Sequence, residues 1–212
     1  QALEENVEFS KLSWPYVLAN KLNRTCVNNG ENGASAKRIW YNILETKFEP
    51  DDIVVILWTH MDRWCIIYED HRGDIDYQDW DIYADEKEKY RNTTSKTNVG
   101  MKNLNPGNYN EEDKLMHLWY EHFHTELDMT LQYYLHVVHA NTWLNNRVSK
   151  VYNLKASEPD RVAFFNDVPF LKTDMDTMRN NYPKALDNHH PGPLAMENFA
   201  ESIYQEMHNK NN

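Results

Sequence analysis

The chain has 212 residues, 41% hydrophobic and 13% aromatic, which suffices for one domain with a substantial core and excludes a disordered tail or a small disulfide scaffold. Acidic side chains outnumber basic ones 33 to 22, for a formal charge of -11, and this argues against nucleic acid or anionic lipid as partners. The longest clean apolar run is Ile53 to Trp58, far short of the roughly 20 residues that span a bilayer, and no signal-peptide pattern opens the chain. A soluble protein without a membrane partner is expected. Cys26 and Cys65 could pair once at most and are read as free thiols, buried or nearly so.

In chain order, Ser13 followed by Trp14 and Pro15 reads as an N-cap and first turn, and Val17, Leu18 and Leu22 predict a short amphipathic helix to Asn23. Thr25 to Asn28 reads as a brief strand that runs into the turn Asn29-Gly30-Glu31-Asn32-Gly33. Ile39, Trp40, Ile43 and Leu44 form the stripe of a second helix, closed by Pro50, Asp51 and Asp52. Ile53 to Trp58 is β-branched and apolar on both faces, the pattern of a buried parallel strand. Strand, turn, helix, strand is an α/β rhythm.

Residues 69 to 110 read as an insertion or lid, acidic and aromatic at first and then rich in Asn, Thr, Gly and Lys. Residues 111 to 149 contain neither Gly nor Pro. Leu115, Leu118, Trp119, Phe123, Leu127, Leu131, Leu135, Val138 and Leu144 recur there at helical spacings, which predicts one long helix or two broken near Asp128. Val162 to Phe165 is a second candidate core strand, and Met196, Phe199, Ala200, Ile203 and Met207 share one face of a C-terminal helix.

The segment Asp187-Asn188-His189-His190-Pro191-Gly192 has the form D-x-x-H-P before that helix. An acid three residues ahead of a histidine can orient the imidazole and leave its other nitrogen free as a general base. The alternative is a helix-entry loop in which Asp and His cap and turn. His117, His122, His124 and the His136/His139 pair could face a metal, but solvated helix faces account for them more simply, and no metal or cofactor is expected. Asp74, Asp76, Asp79 and Asp81 match neither an EF-hand nor a two-metal spacing, while Tyr77, Trp80 and Tyr83 could stack on a sugar ring or pack on a partner.

In order and spacing, the first helix, the turn Val27 to Ser35, the strand Asp52 to Trp58 and the terminal Asp187-Asn188-His189-His190-Pro191 resemble the blocks of the SGNH or GDSL hydrolase family. The resemblance covers most of the chain outside the insertion. It implies a single three-layer α/β/α sandwich over residues 1 to 212, around a flavodoxin-like, mostly parallel sheet with a lid and a long helix. It implies ester hydrolysis by a serine nucleophile, with His190 as base, Asp187 orienting it, and the Gly33 N–H in the oxyanion hole. After the apolar strand the family has Gly-x-Asn-Asp, whereas this chain reads Trp58-Thr59-His60-Met61-Asp62-Arg63, placing His60 at the asparagine position. That version looks like a divergent branch associated with phage and other viral proteins. Arg63 could bind a substrate carboxylate or an oxyanion, or pair with Asp62 or Glu69.

The family's Gly-Asp-Ser block has no counterpart here; Ser10 lacks a strand and glycine to present it, Ser13 reads as a cap, and Ser35 falls in a first helical turn. The resemblance therefore leads one to expect a central strand, and with it the serine, in residues preceding Gln1. Substrates expected on this reading are ester-bearing small molecules or O-acetylated carbohydrate. The alternative is an inactive SGNH-like binding or structural module of a virus particle, with virion proteins as partners.

Overall fold

The computed structural model describes residues 11–31, 33–69, 99–104, 118–156, 167–185 and 190–209. Helix α1 (Trp14–Lys21) has proline in its first turn and Ser13 at the N-cap position. The expected cap bond is not made: the Ser13 hydroxyl is buried without a hydrogen-bond partner. Its other end closes as a Schellman turn, in which Arg24 N–H reaches Ala19 C=O at 2.9 Å, Asn23 N–H reaches Asn20 C=O at 3.1 Å, and Asn23 takes φ 52°. Thr25 to Asn28, expected to form a brief strand, is irregular, and Val27 is 80% exposed with no sheet neighbour among the described residues to cover it.

Helix α2 (Ala36–Glu45) is capped by Ser35, whose hydroxyl accepts from Arg38 N–H at 3.2 Å. It stops at Thr46, ahead of the expected Pro50, because the Thr46 hydroxyl turns back onto Asn42 C=O at 2.6 Å. Strand β1 (Ile53–Trp58) lies where the apolar run places it. Strands β2 (Trp64–Glu69) and β3 (Val99–Leu104) pair antiparallel, from Trp64 opposite Leu104 to Glu69 opposite Val99. The region expected to be an insertion thus leaves and re-enters through a two-stranded ladder, while residues 70–98 and 105–110 lie outside the described residues.

Among the described part of the expected long helix, a π-helical turn (Trp119–Phe123) precedes helix α3 (Glu126–Leu144). The break falls at His124 and Thr125, since the Thr125 hydroxyl accepts Asp128 N–H at 3.2 Å and caps a new helix. Strand β4 (Lys150–Lys155), strand β5 (Phe170–Asp174), helix α4 (Met175–Asn181) and helix α5 (Pro193–Asn209) complete the described chain. The candidate strand Val162 to Phe165 lies outside the described residues.

The protein is a mixed α/β domain built on a small parallel sheet in the order β1-β4-β5. Alternation along β1 divides its side chains between two clusters. Val54, Ile56 and Trp58 pack with Ile43 of α2 and Tyr133, Val137, Ala140 and Leu144 of α3. Ile53, Val55 and Leu57 pack with Leu18 of α1 and Phe199, Ala200, Ile203 and Met207 of α5. The C-terminal helix therefore buries the face its spacing marks. On α3 the buried face is Met129, Thr130, Tyr133, Val137, Ala140, Asn141 and Leu144, and the leucines 127, 131 and 135 lie exposed.

Polar atoms cross the core where α3, β1 and β4 meet. The Asn153 side-chain oxygen accepts from Trp58 Nε1 at 2.8 Å and Asn141 Nδ2 at 3.1 Å, and Asn153 Nδ2 donates to Asn141 Oδ1 at 2.7 Å. Both polar heavy atoms of the Asn153 amide are engaged, as a buried amide requires. The outer side of β5 is closed by α5, where the Glu206 carboxylate accepts the backbone N–H groups of Lys172 and Thr173 at 2.6 and 2.8 Å and also the Thr173 hydroxyl. Among the described residues no strand pairs with the other edge of β1.

Candidate functional site

The C-terminal end of β1, the start of α2 and the middle of α3 converge on a small cleft of about 10 Å³. Ala36 and Lys37 of α2, Met61, Arg63 and Trp64 after β1, and Met129, Tyr133 and His136 of α3 line it. A bend shapes the first of these walls. Gly33 adopts φ 73°, the left-handed region where glycine carries no steric penalty, and Ala34 N–H closes the turn on Glu31 C=O at 3.3 Å. The turn is clamped by a part-buried ion pair, Arg38 Nε to Glu31 Oε2 at 2.6 Å.

The second wall is the loop that follows β1. Arg63 N–H returns to His60 C=O at 3.3 Å, and the Arg63 guanidinium donates to the Thr59 hydroxyl at 3.0 Å. Tyr120 of the π-helical turn donates its hydroxyl to Asp62 C=O at 2.6 Å and so fixes that turn against the loop. Stacking follows from this: the Trp64 and Trp119 rings lie 5.0 Å apart at 17°, and Trp119 and Phe123 lie 6.0 Å apart at 23°. The Lys37 ammonium stands 5.7 Å from the Trp64 ring centroid.

Burial decides the protonation of the groups here. His136 is held down to about 4, first by desolvation and then by the Lys37 charge, so the ring is neutral at physiological pH. Burial pushes the Cys65 thiol up to about 11, and the nearby Lys37, Arg38 and Ser35 only partly oppose it. Cys65 is therefore a thiol and not a thiolate nucleophile. Both cysteines are free. The phenols of Tyr120 and Tyr133 are likewise raised by burial. Beside His136, Trp40 Nε1 donates to His139 Nδ1 at 2.7 Å.

The structure brings the Gly33 turn, His60 and Arg63 to one end of the domain, through the Ser35 cap beside Cys65 and through the cleft that Arg63 shares with Ala36 and Lys37. His190 is exposed in the loop between α4 and α5. That loop is fixed locally: Ala185 N–H meets His190 C=O at 2.9 Å, Gly192 N–H meets Pro183 C=O at 3.2 Å, and Lys184 bridges to Pro191. Gly192 is required for this closure, since a Cβ there would come within 2.6 Å of the Pro183 oxygen. Asp187 lies outside the described residues, as do Ser10 and His117. Ser35 is buried and engaged as a helix cap, in place of the expected first-turn position.

Among the described residues no three His, Cys, Asp or Glu side chains gather as a metal site would need, and no helix is long and apolar enough to cross a membrane. A larger cleft of about 140 Å³ lies farther along the same side of the sheet, between Asn141, Thr142 and Asn145 of α3 and Asp167 to Pro169. Lys37, Trp64, Trp119 and His136 are site residues that sequence reasoning does not single out in this role. Only Trp64, next to Arg63, carries a sequence signal, and the others are brought in by tertiary packing. Comparison with protein-family models, curated proteins and solved structures gives no match.

Proposed function

We propose that the chain is an SGNH-like domain that hydrolyses ester-bearing small molecules or acylated carbohydrate. The observation that carries this reading is the meeting of the start of α2, which follows the Gly33 turn, with Met61 and Arg63 of the loop after β1. In doubly wound sheets the site lies outside the carboxyl ends of the strands, where the order reverses. Helix faces support such a reversal here. Helix α3 joins the parallel neighbours β1 and β4, and α2 shares its cluster, whereas α1 packs in the cluster of β1's opposite face.

With right-handed crossovers, helices on opposite faces of β1 mark the point where the order reverses; residues 24–28, between α1 and α2, are irregular and supply no strand to the open edge. On this reading β1, β4 and β5 are the third, fourth and fifth strands of a flavodoxin-like three-layer sandwich. In the reaction, a serine hydroxyl attacks the ester carbonyl and gives its proton to His190, which Asp187 orients. The Gly33 N–H and the His60 ring donate to the oxyanion. Collapse expels the alcohol with the proton from His190, and water then releases the acid by the same path. Fluorophosphonate labelling of the full chain, with turnover of p-nitrophenyl acetate in parent and His190→Ala, tests the reading. A labelled serine and a loss of at least a hundredfold in the variant are expected; equal turnover would refute it.

A second reading, a non-catalytic binding module of a virus particle, is favoured by one observation. Ser35, the described serine nearest the cleft, is buried and already accepts a backbone N–H. No labelling, with no turnover, would select it.

A further inference from the structure

We propose that the cleft between α2, the loop after β1 and α3 binds an oxyanion, the carboxylate or phosphate of a ligand whose apolar part lies along the Trp64 side. Two half-buried cations meet at this cleft. In a chain of formal charge -11, the described basic residues Lys21, Arg24, Arg38 and Lys47 each meet a carboxylate, with N–O distances of 2.6 to 3.3 Å. Lys37 and Arg63 meet none among the described residues; Lys11, Arg147, Lys172, Arg179 and Lys184 meet none either but stand exposed to water, whereas Lys37 and Arg63 are half-buried and face an indole ring and a threonine hydroxyl.

Both line the same cleft, whose other walls are Met61, Met129 and Tyr133. A positive charge against apolar walls loses hydration, and an anion restores what water no longer supplies. The first turn of α2 carries no acidic side chain, so the positive end of the helix dipole adds to the same potential. His136, neutral at the inner wall, neither repels an anion nor neutralises it. The cleft, about 10 Å³, has room for about one water-sized atom, so an oxyanion sets one oxygen into it and keeps the rest of the ligand at its mouth. This favours a terminal charged group over a buried ring.

The proposal goes beyond the hydrolase reading and does not depend on it, because its test reads binding and not turnover. The full chain is titrated with sodium phosphate, and separately with sodium acetate, at constant ionic strength against sodium chloride, following the Trp64 indole and His136 ring resonances. Saturable shifts are expected with phosphate, acetate or both, and the tighter of the two identifies the ligand's charged group as phosphate or carboxylate. Lys37→Gln combined with Arg63→Gln should weaken binding at least tenfold, while Arg63→Lys, which keeps the charge, should stay within about threefold of the parent. Chloride producing the same shifts, or the double variant binding as the parent does, would overturn the assignment.

Discussion

Replacing Asn153 with leucine keeps the branching of the side chain and removes its polar atoms, and the surroundings dictate the cost. Asn153 is 1% exposed and Trp58 is 0% exposed, so no water can substitute. The change strands two groups in the core, the Trp58 indole N–H and the Asn141 side-chain oxygen. Asn141 Nδ2 keeps its other partner, Val137 C=O at 2.8 Å. Each stranded group costs about 1–3 kcal/mol, and the added apolar burial returns about 1 kcal/mol. A net loss of about 1–5 kcal/mol follows, which moves a urea midpoint down by about 0.5–2.5 M at a slope of about 2 kcal/mol per M. Adding Asn141→Leu removes one of the two stranded groups, so the double variant should cost at least about 1 kcal/mol less than the sum of the singles. Equilibrium unfolding followed by tryptophan fluorescence measures all four proteins. A midpoint unchanged in Asn153→Leu, or strict additivity of the two substitutions, would show that the network does not hold the core.

Three further perturbations test other parts of the structure. Arg38→Met leaves the Glu31 carboxylate with only the Asn42 amide at 3.5 Å; a stability loss of about 1–3 kcal/mol is expected, with faster amide exchange at Gly33 and Ala34, and unchanged exchange there would refute the clamp. His136 is lowered in the folded chain to about 4 from an ordinary value of 6.5, so the unfolded chain binds its proton first as pH falls. Stability should therefore decline from pH 6.5 towards pH 4, by about 2 kcal/mol after allowance for the ring's partial exposure, and His136→Gln should flatten that slope in urea titrations at stepped pH. Gly192→Ala places a methyl against the Pro183 carbonyl; an overpacking loss of about 1–3 kcal/mol and new protease cleavage between α4 and α5 are expected, and parent-like resistance would mean the loop closes by other means.

Residues differ in how far their place could be read from sequence. Ile53 to Trp58 is legible as a strand because six apolar, mostly β-branched residues in a row have no helical stripe. Strand β4, Lys-Val-Tyr-Asn-Leu-Lys, is not, because its buried Asn153 reads as a turn residue until Trp58 and Asn141 are seen to satisfy it. Strand β5 ends in Lys-Thr-Asp, and Asp174 caps α4 through Thr177 N–H at 2.7 Å, so strand and helix signals overlap there. The Gly33 turn is legible because glycine ahead of a serine cap has a local cause. The cleft is not: Lys37, Arg63 and His136 are far apart in sequence and are joined only when α3 packs on α2.

The edges of the sheet carry the last step. In most sheets the apolar strand is central and the charged one is at the rim. Here the order is inverted among the described residues: β4, with a lysine at each end and an asparagine inside, occupies the middle, and the wholly apolar β1 is at an edge. The network around Asn153 explains how a polar residue is tolerated in the centre. The rim at β5 is protected, because the Glu206 carboxylate already holds its outward N–H groups. At β1, Asp52 and Trp58 direct their carbonyls to Ser149 and Ala156 beside β4. By the alternation of a strand, the backbone groups of Ile53, Val55 and Leu57 point the other way. Any strand added to this sheet would join at those residues.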